Sequence, residues 1–172
     1  MPWIFIPPFT RPGPSIMAEF LALRGSAAFS ASRLARLQQS VGETISGIQL
    51  AAEHWYFVEL DAPLNADEKG RLKDLLGIPD RLPLPPDGDL LLVTPRLGTI
   101  SPWSSKATDI ARNCGFATVR RIERAVAYHA AFHVSGKVGQ ESALAARLHD
   151  RMTESVLDSI DAARALFHHV AP

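Results

Sequence analysis

The stretch from Asp89 to Gly115 constrains the fold more than any other part of the chain, because a buried strand, a polar loop and a helix follow one another within it. Asp89–Val93 is a short apolar run between Gly88 and Pro95, which is typical of a strand covered on both faces. After the loop, an apolar stripe with spacing i, i+3, i+4 and i+7 predicts a helix over 102–114: Ala107, Ile110, Ala111 and Cys114. Gly115 suits the C-terminal stop of that helix. The sequence therefore predicts a strand–loop–helix unit.

The loop of this unit combines a helix start signal with polar side chains. Ser101 can cap the helix, and Pro102 suits its first position. Backbone N–H groups at the positive end of the helix, together with hydroxyls and cations, suit a phosphate or a carboxylate: Thr99, Ser101, Ser104, Ser105, Arg96 and Lys106. Any strand-to-helix junction needs capping and turn residues, so a purely structural role stays open. Trp103, a large aromatic at the helix start, favours a contact surface.

The charge balance argues against strongly charged partners. The 172 residues include 18 basic and 18 acidic side chains, so no long-range field favours nucleic acid or an anionic membrane. One cluster interleaved with Glu123 looks like a solvated or interface strand face: Arg120, Arg121 and Arg124. The single cysteine, Cys114, excludes an internal disulfide and favours a reducing compartment, so we expect a cytoplasmic protein. Its place on the apolar stripe favours a small buried hydrophobe over a nucleophile.

The rest of the chain alternates between strand and helix patterns. The predicted segments are a disordered extension over 1–16, a strand over 19–23, a helix over 30–41, an extended stretch over 45–60, a helix from Asn65 to Gly77, a proline-rich linker over 78–88 and a strand over 118–128. Glu68 completes a capping box with Asn65. The side chains expected to face the core from this helix are Leu72, Leu75 and Leu76.

These segments predict an α+β domain over 17–135, a two-layer antiparallel sheet with helices on one face, built from two pseudo-repeated strand–helix–strand halves. A parallel α/β sheet stays open from the pattern alone. Residues 136–172 are predicted to begin a helical linker domain, with one helix kinked near Thr153 or two helices. Their apolar positions are Leu144, Leu148, Met152 and Val156, then Ile160, Ala163 and Phe167 with a shift of phase. We expect these helices to dock loosely or to bury their faces in a dimer.

Other candidate chemistry is weak. His129 and His133 have the spacing of metal ligands on a helix, but they follow a strand pattern and no carboxylate is nearby in sequence, so no metal site is predicted. His149 and Asp150 would point about 100° apart on a helix and cannot form an acid–base dyad unaided. No phosphate-binding glycine loop and no nucleophile elbow occur, so no catalytic residue is predicted.

Several segments also resemble a known family. They are Thr94–Gly115 (TPRLGTISPWSSKATDIARNCG), Arg121–Tyr128 (RIERAVAY), Leu23–Ser30 (LRGSAAFS), Asp61–Asn65 (DAPLN) and Leu148–Val156 (LHDRMTESV). From about Phe20 to His169, the chain closely resembles the N-terminal domain of the large, single-chain phosphoribosylformylglycinamidine synthases of purine biosynthesis.

The resemblance implies a part of a ligase that uses ATP and glutamine-derived ammonia to convert formylglycinamide ribonucleotide into the amidine. The family's synthetase and glutaminase domains lie downstream of the matched region, so ATP and Mg are expected there and no cofactor is expected in this chain. The matched domain is similar to a small separate subunit of split enzymes, present as two fused copies. That subunit is understood to hold the synthetase and glutaminase parts together, which makes those parts the expected partners, in cis or in trans.

The resemblance also gives the strand–loop–helix unit a role as a substrate-side or domain-interface surface. The residues expected to form this surface are Arg96, Thr99, Ser101, Trp103, Ser104, Ser105, Lys106 and Asp109. Their expected role is docking and electrostatic shaping of the site, not catalysis. A rival interpretation is a stand-alone small-ligand-binding regulatory module, in which the same loop binds a free phosphorylated metabolite.

Overall fold

The strands and helices follow in an order that makes one sheet with helices packed on it. The computed structural model describes residues 18–132 and 139–168. Its strands are Glu19–Ala27 (β1), Ile48–Leu60 (β2), Asp89–Pro95 (β3), Val119–Phe132 (β4) and Glu154–Leu157 (β5). Its α-helices are Ala31–Gly42 (α1), Ala66–Leu75 (α2), Pro102–Asn113 (α3) and Gln140–Leu148 (α4), followed by a 3₁₀ helix, Asp161–Phe167. The predicted extension over 1–16, His133 and the boundary between 135 and 136 lie outside the described residues.

The sheet is antiparallel throughout, in the order β1-β2-β4-β3-β5. Strands β2 and β4 form its centre, because they pair along nearly their whole length, from Ile48 opposite Phe132 to Leu60 opposite Val119. The predicted α+β class is therefore confirmed, and the antiparallel pairing excludes the parallel alternative. Duplication of the two halves stays a prediction.

The four α-helices cover one face of the sheet in two groups. Side chains alternate between the two faces along a strand, so even-numbered positions of β2 face the helices. Toward one end of β2, Val41 of α1 and Leu144 of α4 pack on Ile48 and its neighbours. Toward the other end, α2 and α3 contribute Leu72 and Ala111 to a second cluster. Two apolar clusters therefore stabilise one helical layer.

The 3₁₀ helix covers part of the opposite face. Its fully buried Ala163 and nearly buried Leu166 pack with Phe57 and Leu92, which lie at positions of the sheet that point away from the α-helices. Phe20 stacks on Phe57 with ring centroids 5.7 Å apart. The 3₁₀ helix therefore packs on an apolar patch of this face around Phe57 and Leu92.

The helix prediction is wrong over 153–160, whereas Asp161–Phe167 is helical, as a 3₁₀ helix. Met152 donates its backbone N–H to the Asp150 side chain, and Thr153 donates to the Asp150 carbonyl, so a turn interrupts the four-residue apolar spacing. After the turn, β5 pairs with the free edge of β3, with Val156 opposite Val93. The expectation of loose docking is also wrong, because Leu144 of α4 and Leu166 are buried within this chain.

The helix caps agree with the sequence signals, but the buried face of α2 differs in part. Ser30 caps α1, and Asn65 forms a capping box with Glu68 at the start of α2. Leu72 is fully buried as predicted, whereas Leu75 is 37% exposed, because the short helix α2 turns only a narrow side toward the sheet. Within the described ranges, no helix is long and apolar enough to cross a bilayer.

Candidate functional site

The junction between β3 and α3 has the local structure that its sequence predicts. The Ser101 hydroxyl accepts a hydrogen bond from the backbone N–H of Ser104 at 3.0 Å, and Pro102 opens the helix. Gly98 and Gly115 have φ values of +81° and +93°, a region that side chains with a Cβ rarely adopt. The loop between β3 and α3 is therefore a defined turn that leads into a capped helix.

A buried ion pair fixes this loop to the sheet. Glu123 is fully buried on β4, where its carboxylate pairs with the Arg121 guanidinium. The Ser101 hydroxyl donates to the same carboxylate at 2.9 Å. Arg121 donates to the carbonyl oxygens of Thr99 at 2.7 Å and Leu166 at 2.9 Å. The prediction of a solvated or interface face is wrong for this pair, which joins the loop, the sheet and the 3₁₀ helix.

The buried side of α3 is more polar than predicted. It consists of Ser104, Thr108 and Ala111, whereas Ile110 is 47% exposed and Cys114 is exposed. The reason lies in the sheet. On one side β4 pairs with β2, but on the other side β3 pairs with β4 only as far as Val126, so no strand accepts the backbone N–H of Ile122 on the β3 side. The Thr108 hydroxyl accepts from that N–H at 3.0 Å, which turns the hydroxyl side of α3 toward the sheet. The prediction that Cys114 is buried is therefore wrong.

The structure distributes the eight predicted surface residues over three depressions. Arg96, Thr99 and Ser101 line a groove of about 730 Å³, which we call the arginine groove. Trp103 and Lys106 line a depression of about 300 Å³, the tryptophan depression. The remaining three line a pocket of about 470 Å³, the serine pocket: Ser104, Ser105 and Asp109. The eight residues are neighbours in sequence, but they do not converge on one point.

The arginine groove lies between the start of α1 and the start of α3. Its cations are Arg33 from α1, Arg96 from the loop and Arg124 from β4. Burial first, and then the Arg124 charge, lower the pKa of His54, which also lines the groove. Among the described lining residues three guanidinium groups stand against one carboxylate, that of Glu154, so the groove has a positive potential that favours an anion.

The tryptophan depression has a different chemistry. The Arg124 guanidinium lies over the Trp103 ring, 4.7 Å from its centroid, and the centroid of the Tyr56 ring is 6.0 Å from that of Trp103. Leu75 from α2 and Ile110 from α3 complete the lining, and both are partly exposed. The depression is therefore apolar and aromatic, with the cations of Arg124 and Lys106 among its lining residues.

The serine pocket is polar and has a balanced charge. Arg120 pairs with Asp61 at 3.1 Å, and Arg112 donates to the carbonyl oxygens of Val119 and Arg120. The hydroxyl of the fully buried Ser104 has no hydrogen-bond partner in the described part of the chain. With its cations already occupied, this pocket offers less to an anion than the arginine groove does.

Sequence reasoning missed a second buried carboxylate, Glu53 of β2. Arg24 pairs with it at 2.8 Å, and the Nε2 atom of His129 lies 3.3 Å from it across the strand pair. Burial acts to raise the pKa of Glu53, but hydrogen bonds from Arg24 and Trp55 and the Arg24 charge outweigh it, so the pKa is lowered. A glutamate inside an apolar strand was the available signal. In the described ranges, no three side chains of the metal-binding types come together.

Comparison with known families identifies the family of this chain. A family model described as formylglycinamide ribonucleotide amidotransferase N-terminal matches residues 53–167, which is more than half of the chain. The match includes β3, the loop, α3 and β4, and therefore nearly all of the three depressions. It agrees with the resemblance seen in the sequence.

Proposed function

Because the chain belongs to the formylglycinamide ribonucleotide amidotransferase N-terminal family, we propose that it is the N-terminal part of phosphoribosylformylglycinamidine synthase. In this proposal it docks the synthetase domain of that enzyme, in cis or in trans, and acts in purine biosynthesis only together with the remaining domains. The ligase reaction, with ATP, Mg and glutamine-derived ammonia, belongs to those domains. The role of this chain is to hold and orient them.

The observation that carries the docking role is the tryptophan depression. Ile110 is 47% exposed and Leu75 is 37% exposed on two helices, and the Trp103 ring lines the same depression. An apolar patch with an aromatic anchor and a charged rim is typical of a protein interface. Burying two such side chains on a partner stabilises a complex by about 1–3 kcal/mol in total, at roughly 25 cal/mol per Å² of apolar area.

The charges around the depression indicate the chemistry of the partner surface. Lys106 and Arg124 line it, whereas its other lining residues are apolar or aromatic. A complementary surface therefore presents apolar side chains opposite Trp103 and carboxylates opposite the two cations. Arg124 is held by stacking on Trp103, so its position is fixed before the partner arrives.

The test is a pair of matched substitutions in the intact enzyme. Ile110→Asp places a charge in the depression, and Leu84→Asp places the same charge at a site that is 90% exposed and does not line the depression. We expect Ile110→Asp to weaken domain association by about tenfold or more, or to lower synthetase activity to a similar extent, because the new carboxylate replaces an apolar contact and repels the carboxylates expected on the partner surface. Leu84→Asp should change neither. Equal behaviour of the two variants in association and activity, with the fold intact by circular dichroism, would refute the docking role.

A smaller effect on domain association is expected from Lys106, a charged residue that lines the tryptophan depression. Lys106→Ala should reduce the association rate about two- to fivefold and make it less dependent on salt, since rim charges act mainly on encounter. Stopped-flow association of the separated domains measures both effects. An unchanged rate and an unchanged salt dependence would remove Lys106 from the interface.

The rival function, a stand-alone module that binds a small phosphorylated ligand, has one observation in its favour, the arginine groove. Isothermal titration of this chain alone with the ribonucleotide substrate, ATP and glutamine, together with the Ile110→Asp test, discriminates between the two functions. Ribonucleotide binding by the isolated chain, together with no effect of Ile110→Asp on the intact enzyme, favours the module. Loss of association or of synthetase activity in Ile110→Asp favours the docking role, whether or not the isolated chain binds a phosphate.

A further inference from the structure

We propose that the arginine groove is a binding site for a small organic phosphate. The groove lies between α1 and α3, and the docking surface lies between α2 and α3. Arg124 lines both, but the substitutions that test ligand binding are at Arg33 and Arg96, which do not line the docking surface. Its volume of about 730 Å³ lies within the usual range of small-molecule pockets. Four features of its lining carry the proposal.

The first feature is positive charge without a carboxylate partner. Within residues 18–132 and 139–168, no carboxylate lies within salt-bridge distance of Arg33, Arg96 or Arg124. By contrast, Arg24 and Arg121 each pair with a buried glutamate. The three groove cations therefore retain their capacity to bind an anion.

The second feature is the way these arginines are held. The Arg33 guanidinium lies over the Phe29 ring at 4.6 Å, and that of Arg124 lies over the Trp103 ring at 4.7 Å. Stacking occupies the face of a guanidinium and leaves N–H donors at its edge, where a phosphate binds in a bidentate manner. Arg96 uses one Nη1 donor on the Met152 carbonyl at 3.3 Å. The groups are thus positioned before a ligand enters.

The third feature is a pair of helix starts without acidic residues in their first turns, although at α3 the carboxylate of Glu123 on β4 already accepts from the Ser101 N–H at 3.4 Å, which leaves α1 as the start without a carboxylate. The first turns of α1 and α3 contain no acidic residue, whereas α2 has Asp67 and Glu68 and α4 has Glu141. The positive end of a helix normally attracts an acidic side chain or an anion. Residues from both of these starts line the groove, Arg33 from α1 and Ser101 and Pro102 from α3.

The fourth feature is the remaining lining of the groove, which consists of a histidine ring nitrogen, one carboxylate and apolar side chains. The Nδ1 atom of His54 is buried, and no described group hydrogen-bonds it. Among the described lining residues Glu154 is the only carboxylate, and one of its oxygens accepts from the backbone N–H of Asp150. Phe29 and Ile100 add apolar area that suits the organic part of a ligand. A phosphate group with an apolar body therefore matches the groove better than inorganic phosphate does.

The experiment is a titration of the 172-residue chain with phenyl phosphate, inorganic phosphate and phenol at constant ionic strength, followed by calorimetry and by amide chemical shifts. Phenyl phosphate should bind most tightly, inorganic phosphate at least about threefold more weakly, and phenol should not bind measurably. The amide shifts should concentrate at Phe29, Thr99 and Ile100. The double variant Arg33→Gln/Arg96→Gln should weaken phenyl phosphate binding by about tenfold or more.

Arg36→Gln is the matched control, since Arg36 is an exposed arginine on α1 that does not line the groove. It should change the affinity by less than about twofold. The proposal is overturned if phenyl phosphate fails to bind at about 10 mM, if the control weakens binding as much as the double variant, or if the shifts lie elsewhere. Leu84→Asp should leave phenyl phosphate binding unchanged, since Leu84 lines neither the groove nor the docking surface. Docking is measured with Ile110→Asp in the intact enzyme, so failure of one test leaves the other standing.

Discussion

Two strand–loop–helix units of this chain begin their helices in the same way and anchor them differently. Ser30 starts α1 and accepts from the Arg33 N–H at 3.3 Å, while Ser101 starts α3 and accepts from the Ser104 N–H at 3.0 Å. The Ser101 hydroxyl also donates to the buried Glu123, whereas the exposed Ser30 hydroxyl lies 3.2 Å from another exposed hydroxyl, that of Ser32. One cap therefore belongs to a buried network, and the other belongs to the surface.

The difference between the two caps shows that a buried network, and not a cap alone, fixes the loop before a helix. A cap on its own stabilises a helix start by about 1 kcal/mol and leaves the preceding loop free to move. The network of Glu123 and Arg121 adds contacts to Thr99, Ser101 and Leu166, so the loop before α3 is bound to the sheet. Trp103 and Ile110 of the docking surface thus project from the better anchored unit, whereas the arginine groove takes side chains from both units, Arg96 from this loop and Arg33 from α1.

The largest expected effect comes from removing the anchor. Glu123→Gln leaves Arg121 buried without a counter-charge, so we expect the free energy of unfolding to fall by about 3–5 kcal/mol. Glu53→Gln should cost less, about 1–3 kcal/mol, because its partner Arg24 is 18% exposed and can be hydrated. Urea unfolding of both variants measures the difference. If Glu53→Gln costs as much as Glu123→Gln, the two units are anchored equally and the comparison fails.

The next effect concerns the two caps. Ser101→Ala removes a cap and one hydrogen bond to a buried carboxylate, so we expect a loss of about 2–3 kcal/mol in the free energy of unfolding. Ser30→Ala removes only an exposed cap and should cost about 0.5–1 kcal/mol. Thermal and urea unfolding of the two variants give the ratio. Equal losses would mean that the Glu123 contact adds nothing to the cap.

A third prediction uses pH. The pKa of Glu53 is lowered in the folded protein from an ordinary value of 4.5, so its ionised form contributes stability above pH 4.5, and this contribution is lost as the pH falls through the lowered folded value. Glu53→Gln should therefore cost most near neutral pH and progressively less below pH 4.5. Unfolding measured at several pH values tests the slope. A cost that stays constant down to pH 3 would show that the Arg24 contact does not depend on ionisation.

The smallest expected effect is kinetic and local. The amide proton of Ser104 should exchange with solvent at least about tenfold more slowly than that of Arg33, because its acceptor Ser101 is held by Glu123. Hydrogen exchange followed by NMR compares the two amides in one sample. Faster exchange at Ser104 would show that the loop before α3 opens more readily than the loop before α1.

Local signals predicted most of the fold, since they depend only on neighbours in sequence. The caps at Ser101 and Asn65, the strand at Asp89 and the α+β class were predictable from side-chain type and spacing. The errors came from partners distant in sequence. The segment at 153–167 has helical spacing, but the free edge of β3 makes part of it a strand, and no local pattern reveals that edge.

Contacts between residues distant in sequence also explain why the docking surface was only partly predicted. Eight neighbouring residues were expected to form one surface, yet a helix turns successive side chains about 100° apart, so they face three depressions. Arg33, His54 and Arg124 come from other elements and were not predicted as partners of Arg96, because only the sheet brings them together. The exposure of Ile110 depends on the Thr108 contact with the edge of β4.

The docking claim is tested most directly by photo-crosslinking in the intact enzyme. The photoreactive residue p-benzoylphenylalanine is placed at position 110 in one sample and at position 84 in another, so that an exposed apolar site inside the tryptophan depression is compared with one outside it. The account predicts crosslinks from position 110 to the synthetase domain and none from position 84. Crosslinks from position 84 but not from position 110 would contradict it and would place the interface on another surface of the domain.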